Sequence, residues 1–427
     1  MSPFQYQNNF LCAESVPLDR IAAQFGTPCY VYSQAAIVEN FAAYVDACNT
    51  HAARGDAPLI CFSVKSNSNL AVLQLLGRHG SGFDIVSGGE LLRVLAAGGT
   101  PDKIIFSGVG KSREEMRLAL SHDILCFNVE SIPELHRLDS VAGEMDRRAR
   151  VSLRVNPNVD AKTHPYISTG LKENKFGVSY DDALATYRIA AGLPHIDVVG
   201  IDCHIGSQLL DDAPLLEAVD KLIALIDVLA AEGIDLHHLD IGGGLGIDYE
   251  GNQPVAVGDY LQRLFAKVDA WRQRAHGGRP IRVLFEPGRS IVGNAGVLLT
   301  EVQYLKEGEV KNFAIVDAAM NDLMRPAMYQ AWHGVQAVAP REGRATMYDI
   351  VGPVCESSDW LARSRTLTLA PGDLLAIMSA GAYAMTMASN YNTRGRAAEV
   401  LVDGDTMHLV RRRELPEELF ALETLLA

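Results

Sequence analysis

From residue 58 to about 290 the chain repeats one pattern. A short run of β-branched or apolar residues is followed by a segment of helical periodicity, then by another short run. The runs predicted as strands are 59–64, 83–86, 104–106, 124–128, 151–155, 198–204, 236–241 and 282–285. Residues 89–97 (GELLRVLAA) and 112–120 (SREEMRLAL) have helical spacing. The apolar stretch from Leu215 to Ile234 carries Glu217, Asp220, Lys221, Asp227 and Glu232 at helical intervals, which marks an amphipathic helix. Strands alternating with helices imply right-handed βαβ units and a parallel sheet. About eight strands over roughly 230 residues match a (β/α)8 barrel of the TIM type. A doubly wound open sheet is the alternative.

The strand ends favour the barrel. The apolar runs stop at Lys65, at Asp84 and Ser87, at Ser107, at Asn128, at Arg154 and Asn156, at His204 and Ser207, at Gly242–Gly244 and at Glu286. Polar groups at the C-terminal ends of many strands are costly if buried without partners. They are expected where those ends converge on a site at the mouth of a barrel. After Arg289 helical patterns become rare, and short runs recur at 296–304, 312–317, 334–338, 345–350, 374–377, 398–402 and 407–410. Turns such as Pro371-Gly372-Asp373 separate them. They predict an all-β sandwich or small β-barrel, to which the run 28–32 could add a strand. The expected organisation is a barrel over 34–290 and a discontinuous β domain made of 1–33 and 291–427.

Composition narrows the function. Of 427 residues, 38 are Lys or Arg and 52 are Asp or Glu, a net charge of −14, and no basic stripe is present. That argues against binding a phosphate backbone, so no nucleic-acid partner is expected. No apolar run is long enough to span a membrane. The opening MSPFQYQNNF has neither a basic start nor an apolar core, so no signal peptide is expected. The seven cysteines form no CxxC pair, which argues against disulfides and a structural zinc and for the reducing cytoplasm.

Several of the strand ends carry chemistry. Lys65, in CFSVKSN, ends a strand; burial favours a neutral amine, which forms a Schiff base with an aldehyde, although a snorkelling lysine fits as well. Gly242, Gly243 and Gly244 follow the seventh run directly and allow close backbone approach to a phosphate, or only a tight turn. The loop after the eighth run, Glu286-Pro287-Gly288-Arg289, adds backbone donors beside an arginine. Glu286 could keep a pyridine nitrogen protonated, or pair with Arg289 or Arg154 as a structural ion pair. His204 could stack on a flat cofactor, titrate, or be a satisfied core histidine. It has no second ligand at metal spacing, and no metal is expected. Cys355 fits an inert packing cysteine; with its acidic neighbours, which favour a protonated thiol, it could instead be a proton donor.

Taken together, the motifs resemble the fold-type III pyridoxal-phosphate enzymes, and within them the diaminopimelate decarboxylases. The resemblance rests on GSGFDIVSGGEL (80–91), VNPNVDAKTHPYISTGLKENKFG (155–177), CHIGSQ (203–208), DIGGGLG (240–246), EPGR (286–289), VDAAMNDLMRPAMYQAWH (316–333), GPVCESSD (352–359) and GAYAMTMASNYN (381–392). It covers nearly the whole chain. It departs at Ser63 and Ser66, where FSVKSN stands for the usual YAVKAN, and at Ala384, Gly395 and Ala397. The resemblance implies pyridoxal 5'-phosphate as cofactor and decarboxylation of meso-2,6-diaminopimelate to L-lysine. An ornithine, arginine or carboxynorspermidine decarboxylase is the alternative. It implies that Lys65 bonds the cofactor, His204 stacks on its ring and Glu286 meets its ring nitrogen. Asp84, Arg154, Ser207, Gly243, Gly244, Gly288, Arg289 and Tyr383 complete the cofactor site. Arg289, Arg325, Tyr329 and Tyr383 hold the substrate, Glu356 meets its distal ammonium and Cys355 donates a proton. It further implies a homodimer in which Cys355 and Glu356 reach the neighbouring subunit's site.

Overall fold

The computed structural model describes residues 3–52, 57–160, 175–274 and 281–426. It divides into two compact units. One comprises Asn40–Ile247 and Gln253–Ser290, the other Met1–Glu39, Asp248–Asn252 and Ile291–Ala427.

In the first unit eight parallel strands form a closed barrel. In order they are Leu59–Ser63, Gly82–Ile85, Ile104–Phe106, Cys126–Val129, Ala149–Asn156, Ile196–Asp202, His238–Asp240 and Arg282–Phe285. The eighth pairs with the first through Leu284 with Leu59 and Phe285 with Ile60, so the ring has no open edge. This excludes the open sheet. The amphipathic segment of the sequence is the helix Ala213–Ala231, which buries Leu215, Val219, Leu222 and Leu229.

The barrel interior follows from the period of two along a strand. Leu59 and Cys61 of the first strand, Ile105 of the third, Cys126 of the fourth and Leu284 of the eighth form one buried apolar cluster. Two residues further along each strand the same face carries Ser63, Ser107, Asn128 and Glu286. Across the ladder Ser63 has Asp84 as neighbour, and Asp202 lies between Arg154 and Asp240. The interior is therefore apolar in the middle and polar at the C-terminal ends. Space is tight in this layer. A Cβ on Gly200 would lie 2.0 Å from Nε2 of His238 on the adjacent strand. Burial pushes the His238 ring down to about 3, so it packs as a neutral side chain.

The second unit is built on one long strand, Gly296–Lys306. Leu298 pairs with Tyr30 of the strand Cys29–Ser33 on one side and with Ile377 of Leu374–Ile377 on the other. The distal half pairs with Asn312–Val316, which continues to Thr346–Val351 and Trp360–Leu367. Cys29–Ser33 in turn lies parallel to Ala398–Asp403, followed by Thr406–Arg411. Leu11, Val31, Leu299, Val338 and Val400 share the apolar core beneath this sheet.

Two strand regions escape the hydropathy pattern. Phe4–Gln7 and Phe10–Ala13 form a hairpin of mixed polarity, and its turn residues Asn8 and Asn9 both have positive φ, 48° and 66°. Asparagine tolerates that conformation, which is the signal for this turn. Trp360–Leu367 is an edge strand carrying Arg363 and Arg365, and the Arg363 guanidinium lies 3.8 Å from the Trp360 ring centroid. The segment Asp248–Asn252 belongs to the β unit and not, as the sequence reading had it, to the barrel. Tyr249 explains this, because its ring packs against Arg325 and His333. The motif at 155–177 falls partly on residues 161–174, outside the described residues.

The packing at Gly200 yields a prediction. Gly200→Ala forces a methyl group against His238 and lowers stability by roughly 1–3 kcal/mol, read as a lower urea midpoint. Adding His238→Ala to that variant costs less than the sum of the two single changes, because the obstruction is gone.

Candidate active site

Lys65 lies in a short 3-10 turn, Val64–Ser66, that directly continues the first barrel strand. Its Nζ is 2.8 Å from Oδ2 of the fully buried Asp84, at the end of the second strand. Ser63 Oγ is 2.9 Å from the same Oδ2 and 2.9 Å from the carbonyl oxygen of Glu286. Ser66 donates through Oγ to the Ser63 carbonyl at 2.7 Å. The two serines that depart from the family pattern thus tie the lysine turn together. Gly288 fits against them, since a Cβ there would meet Ser66 Oγ at 2.8 Å.

Glu286 ends the eighth strand and is buried. Its Oε1 accepts from Asn128 Nδ2 at 3.3 Å and lies 3.4 Å from Ser107 Oγ. Asp202, Asp240 and Glu286 each place a carboxylate oxygen within 4.8 Å of the others. Burial, and then the neighbouring acids Asp84, Asp240 and Asp202, push Glu286 well above the ordinary carboxylate range, with Lys65 acting in the opposite sense. Burial, chiefly, and Asp240 raise Asp202 in the same way. Burial pushes Asp240 up to about 7, although Gly242 N–H donates to its Oδ1 at 2.9 Å. Asp84 Oδ1, Asp202 Oδ1 and Asp240 Oδ2 are buried without a hydrogen-bond partner among the described residues.

The loops beyond the strands supply the remaining barrel groups. Gly242 and Gly244 have φ of 69° and 107°. A Cβ at Gly243 would lie 2.2 Å from the Glu286 carbonyl, so the two loops approach at backbone distance. Arg289 Nη2 donates to Ser207 Oγ at 3.0 Å. Arg154 donates to Glu130 Oε1 at 3.3 Å and stands over the Phe176 ring at 4.9 Å. Burial, with Arg154 and Lys65 nearby, holds His204 well below its ordinary value, so its ring is neutral.

The other predicted residues lie in the β unit. Arg325 opens the five-residue helix Arg325–Tyr329, with Tyr329 at its end. Cys355 is exposed. Its loop is held by Asp359, whose carboxylate accepts from the N–H groups of Met320 at 2.6 Å and Val354 at 2.7 Å. Glu356 accepts from Tyr391 Oη at 2.6 Å. Tyr383 has a φ of 53°, a conformation that needs support from its surroundings. Two residues earlier the backbone runs close to Val292, where a Cβ on Gly381 would lie 1.8 Å from the carbonyl.

A family model for the pyridoxal binding domain of pyridoxal-dependent decarboxylases matches residues 35–293. A diaminopimelate decarboxylase of Pseudomonas aeruginosa is 59% identical over 426 residues, covering 100% of both chains. The chain belongs to the diaminopimelate decarboxylases. Solved members of that family share its fold. The Helicobacter pylori diaminopimelate decarboxylase complexed with L-lysine is 43% identical, with a TM-score of 0.89 over 95% of this chain and 99% of that one. A diaminopimelate decarboxylase from M. jannaschii in co-complex with L-lysine is 37% identical, with a TM-score of 0.94 over 99% of this chain and 98% of that one.

The barrel residues fit the cofactor that this family uses. A buried carboxylate cluster with unpartnered oxygens suits a protonated, cationic ring nitrogen. Glycine loops meeting at backbone distance beside Arg289 and Ser207 suit a phosphate. The sequence reading did not assign Asp202 and Asp240, Ser63, or the supports His333, Tyr249 and Tyr391. The two aspartates carry a readable signal, because each ends a barrel strand like Asp84. Tyr391 opens a 3-10 turn, Tyr391–Thr393, and Tyr249 and His333 sit in loops, where nothing in the sequence marks what they contact.

The raised acids set a pH dependence. In the folded chain Asp240 moves from 3.8 to about 7. Between those values the folded state holds a proton that the unfolded chain has released, so stability falls as pH rises through that window. In the cofactor-free protein Asp240→Asn flattens this fall, as read from urea midpoints measured across it.

Proposed function

We propose that this chain is the pyridoxal-phosphate-dependent enzyme that decarboxylates meso-2,6-diaminopimelate to L-lysine and carbon dioxide, the last step of lysine biosynthesis. The observation that carries the reading is the 59% identity, end to end, with a diaminopimelate decarboxylase. The bound cofactor supplies a protonated ring that accepts the electron pair left when carbon dioxide departs.

The chain's own groups bind, orient and move protons. Lys65 would anchor the cofactor aldehyde through Nζ, and Asp84 Oδ2, 2.8 Å away, holds that group in place. Glu286 has a high proton affinity and supplies hydrogen-bonded charge to the ring nitrogen. Neutral His204 offers a flat, weakly hydrated face for stacking. Ser207, Gly243, Gly244, Gly288 and Arg289 hold the phosphate, joined by Tyr383, and Arg154 contributes positive charge. Arg289, Arg325 and Tyr329 bind the carboxylate that survives the reaction. A planar guanidinium suits a planar anion, and a substrate without a second carboxylate, such as ornithine, gains nothing from it. Glu356 binds the distal ammonium. Cys355 delivers the proton that replaces the lost carboxyl group.

The exposure of Cys355 supports a homodimer in which each subunit lends this loop to its neighbour. All seven cysteines are free, which supports a cytoplasmic setting. No helix among the described residues is long and apolar enough to cross a membrane.

Three measurements test these assignments. Purified protein loaded with pyridoxal phosphate absorbs in the visible and forms lysine from meso-diaminopimelate, whereas Lys65→Ala loses both properties; a loaded protein that forms no lysine refutes the substrate. Arg325→Ala raises KM for meso-diaminopimelate about ten- to a hundredfold, the loss of hydrogen bonds to a charged group, and leaves the cofactor spectrum unchanged. Mixing Lys65→Ala and Cys355→Ala subunits restores about a quarter of wild-type activity if sites are shared between subunits, and none above the separate variants if they are not.

A further inference from the structure

Arg325 is 7% exposed and sits on a helix of only five residues, too short to fix a long side chain by itself. Three contacts within the β unit set its direction. Its Nη1 lies 3.0 Å from Nε2 of the fully buried His333. Its guanidinium carbon stands 4.7 Å from the Tyr249 ring centroid. The Tyr249 and His333 rings meet edge to face at 5.4 Å. The three side chains therefore pack on one another, and fixing one edge and one face of a planar guanidinium fixes its plane.

The hydrogen-bond polarity of His333 follows from its partners. Arginine carries only donors, so Nε2 must be the acceptor and the ring must be neutral. The proton is then on Nδ1, which donates to the Met378 carbonyl at 2.9 Å. Met378 lies immediately beyond the strand Leu374–Ile377, and its own N–H donates to the Gly334 carbonyl at 2.8 Å. Arg365 Nη2 donates to the His333 carbonyl at 2.9 Å. The imidazole is thus pinned to the sheet on one side and holds Arg325 on the other.

We propose that His333 is a positioning residue for substrate specificity: as a neutral acceptor locked in the Nδ1–H tautomer, it aims the Arg325 guanidinium at the substrate's surviving carboxylate. The inference rests on the assignment of Arg325 to that carboxylate. It makes His333 matter for ligands that carry the carboxylate and not for those that lack it. L-Lysine, the product, keeps that group; cadaverine, the corresponding diamine, does not.

The test uses the holoenzyme. KM and kcat for meso-diaminopimelate, and the affinities of L-lysine and cadaverine read from the cofactor absorbance, are measured in His333→Phe, His333→Gln and His333→Asn. Gln keeps an acceptor near the Nε2 position, whereas Asn reaches only the Nδ1 position and Phe has neither. His333→Phe and His333→Asn are expected to raise KM about tenfold, the scale of one hydrogen bond to a charged group, with kcat within about twofold of wild type. L-Lysine affinity falls by the same factor, cadaverine affinity is unchanged, and His333→Gln restores most of the loss. Should Phe not fold, the contrast between Gln and Asn decides. Equal impairment of Gln and Asn, or parallel loss of L-lysine and cadaverine, overturns the proposal. Arg325→Ala in the same assay separates the two claims. If it leaves KM unchanged, the assignment of Arg325 itself has failed. If it raises KM while all three His333 variants behave as wild type, only the role of His333 has failed.

Discussion

Four carboxylates, Asp84, Asp202, Asp240 and Glu286, are buried at the C-terminal ends of barrel strands, and the rest of the site is arranged around that fact. Burying negative charge at this density is unfavourable unless cations or protons accompany it. Lys65 and Arg154 bring two positive charges close by, and Asp202, Asp240 and Glu286 answer the remaining imbalance by holding protons more tightly. The barrel mouth is therefore an environment whose carboxyl groups favour an incoming planar cation. A protonated pyridine ring has that character. The strand periodicity that fills the barrel centre with Leu, Ile and Cys also delivers Ser63, Ser107, Asn128 and Glu286 two residues later, while Asp84, Asp202 and Asp240 follow Gly82, Gly200 and His238 at the same interval.

The β unit solves a different problem, that of holding long or reactive side chains on short loops. It uses backbone contacts. Asp359 gathers two N–H groups around the Cys355 loop, and Gly381 lies so close to the Val292 carbonyl that the backbone before Tyr383 has little freedom. The helix of Arg325 is too brief to act alone and relies on neighbouring rings. Backbone contacts thus fix the loops of Cys355 and Tyr383, and packed rings fix Arg325.

The barrel was legible in the sequence because parallel strands buried on both faces appear as separate apolar runs, and every one of the eight runs overlaps a strand. The β unit's inner strands were legible for the same reason. The hairpin at Phe4–Gln7 and the edge strand at Trp360–Leu367 were not, since partner chemistry and turn conformation specify them more than hydropathy does. Lys65, Asp84 and Glu286 were readable as polar ends of apolar strands, and the structure gathers them in one barrel. The environment of Arg325 was not readable, because Tyr249 and His333 are separated by 84 positions in the sequence and meet only through the fold.

The placement of Cys29–Ser33 has a consequence for how the chain is made. This strand lies inside its sheet, with Gly296–Lys306 on one side and Ala398–Asp403 on the other. Its last partner is synthesised some 365 residues later, which at about 5–20 residues per second is a wait of roughly 20 to 70 seconds. Through that interval the all-buried segment Cys-Tyr-Val-Tyr-Ser has no complete place to go. The barrel, whose strands are contiguous in sequence, can form during synthesis. The sheet of the β unit is complete only once strands some 365 residues apart have met. A chain ending between residues 307 and 397 would carry every barrel strand and Gly296–Lys306 but leave the Ala398–Asp403 edge of Cys29–Ser33 unpaired, an edge suited to recognition by chaperones or to aggregation.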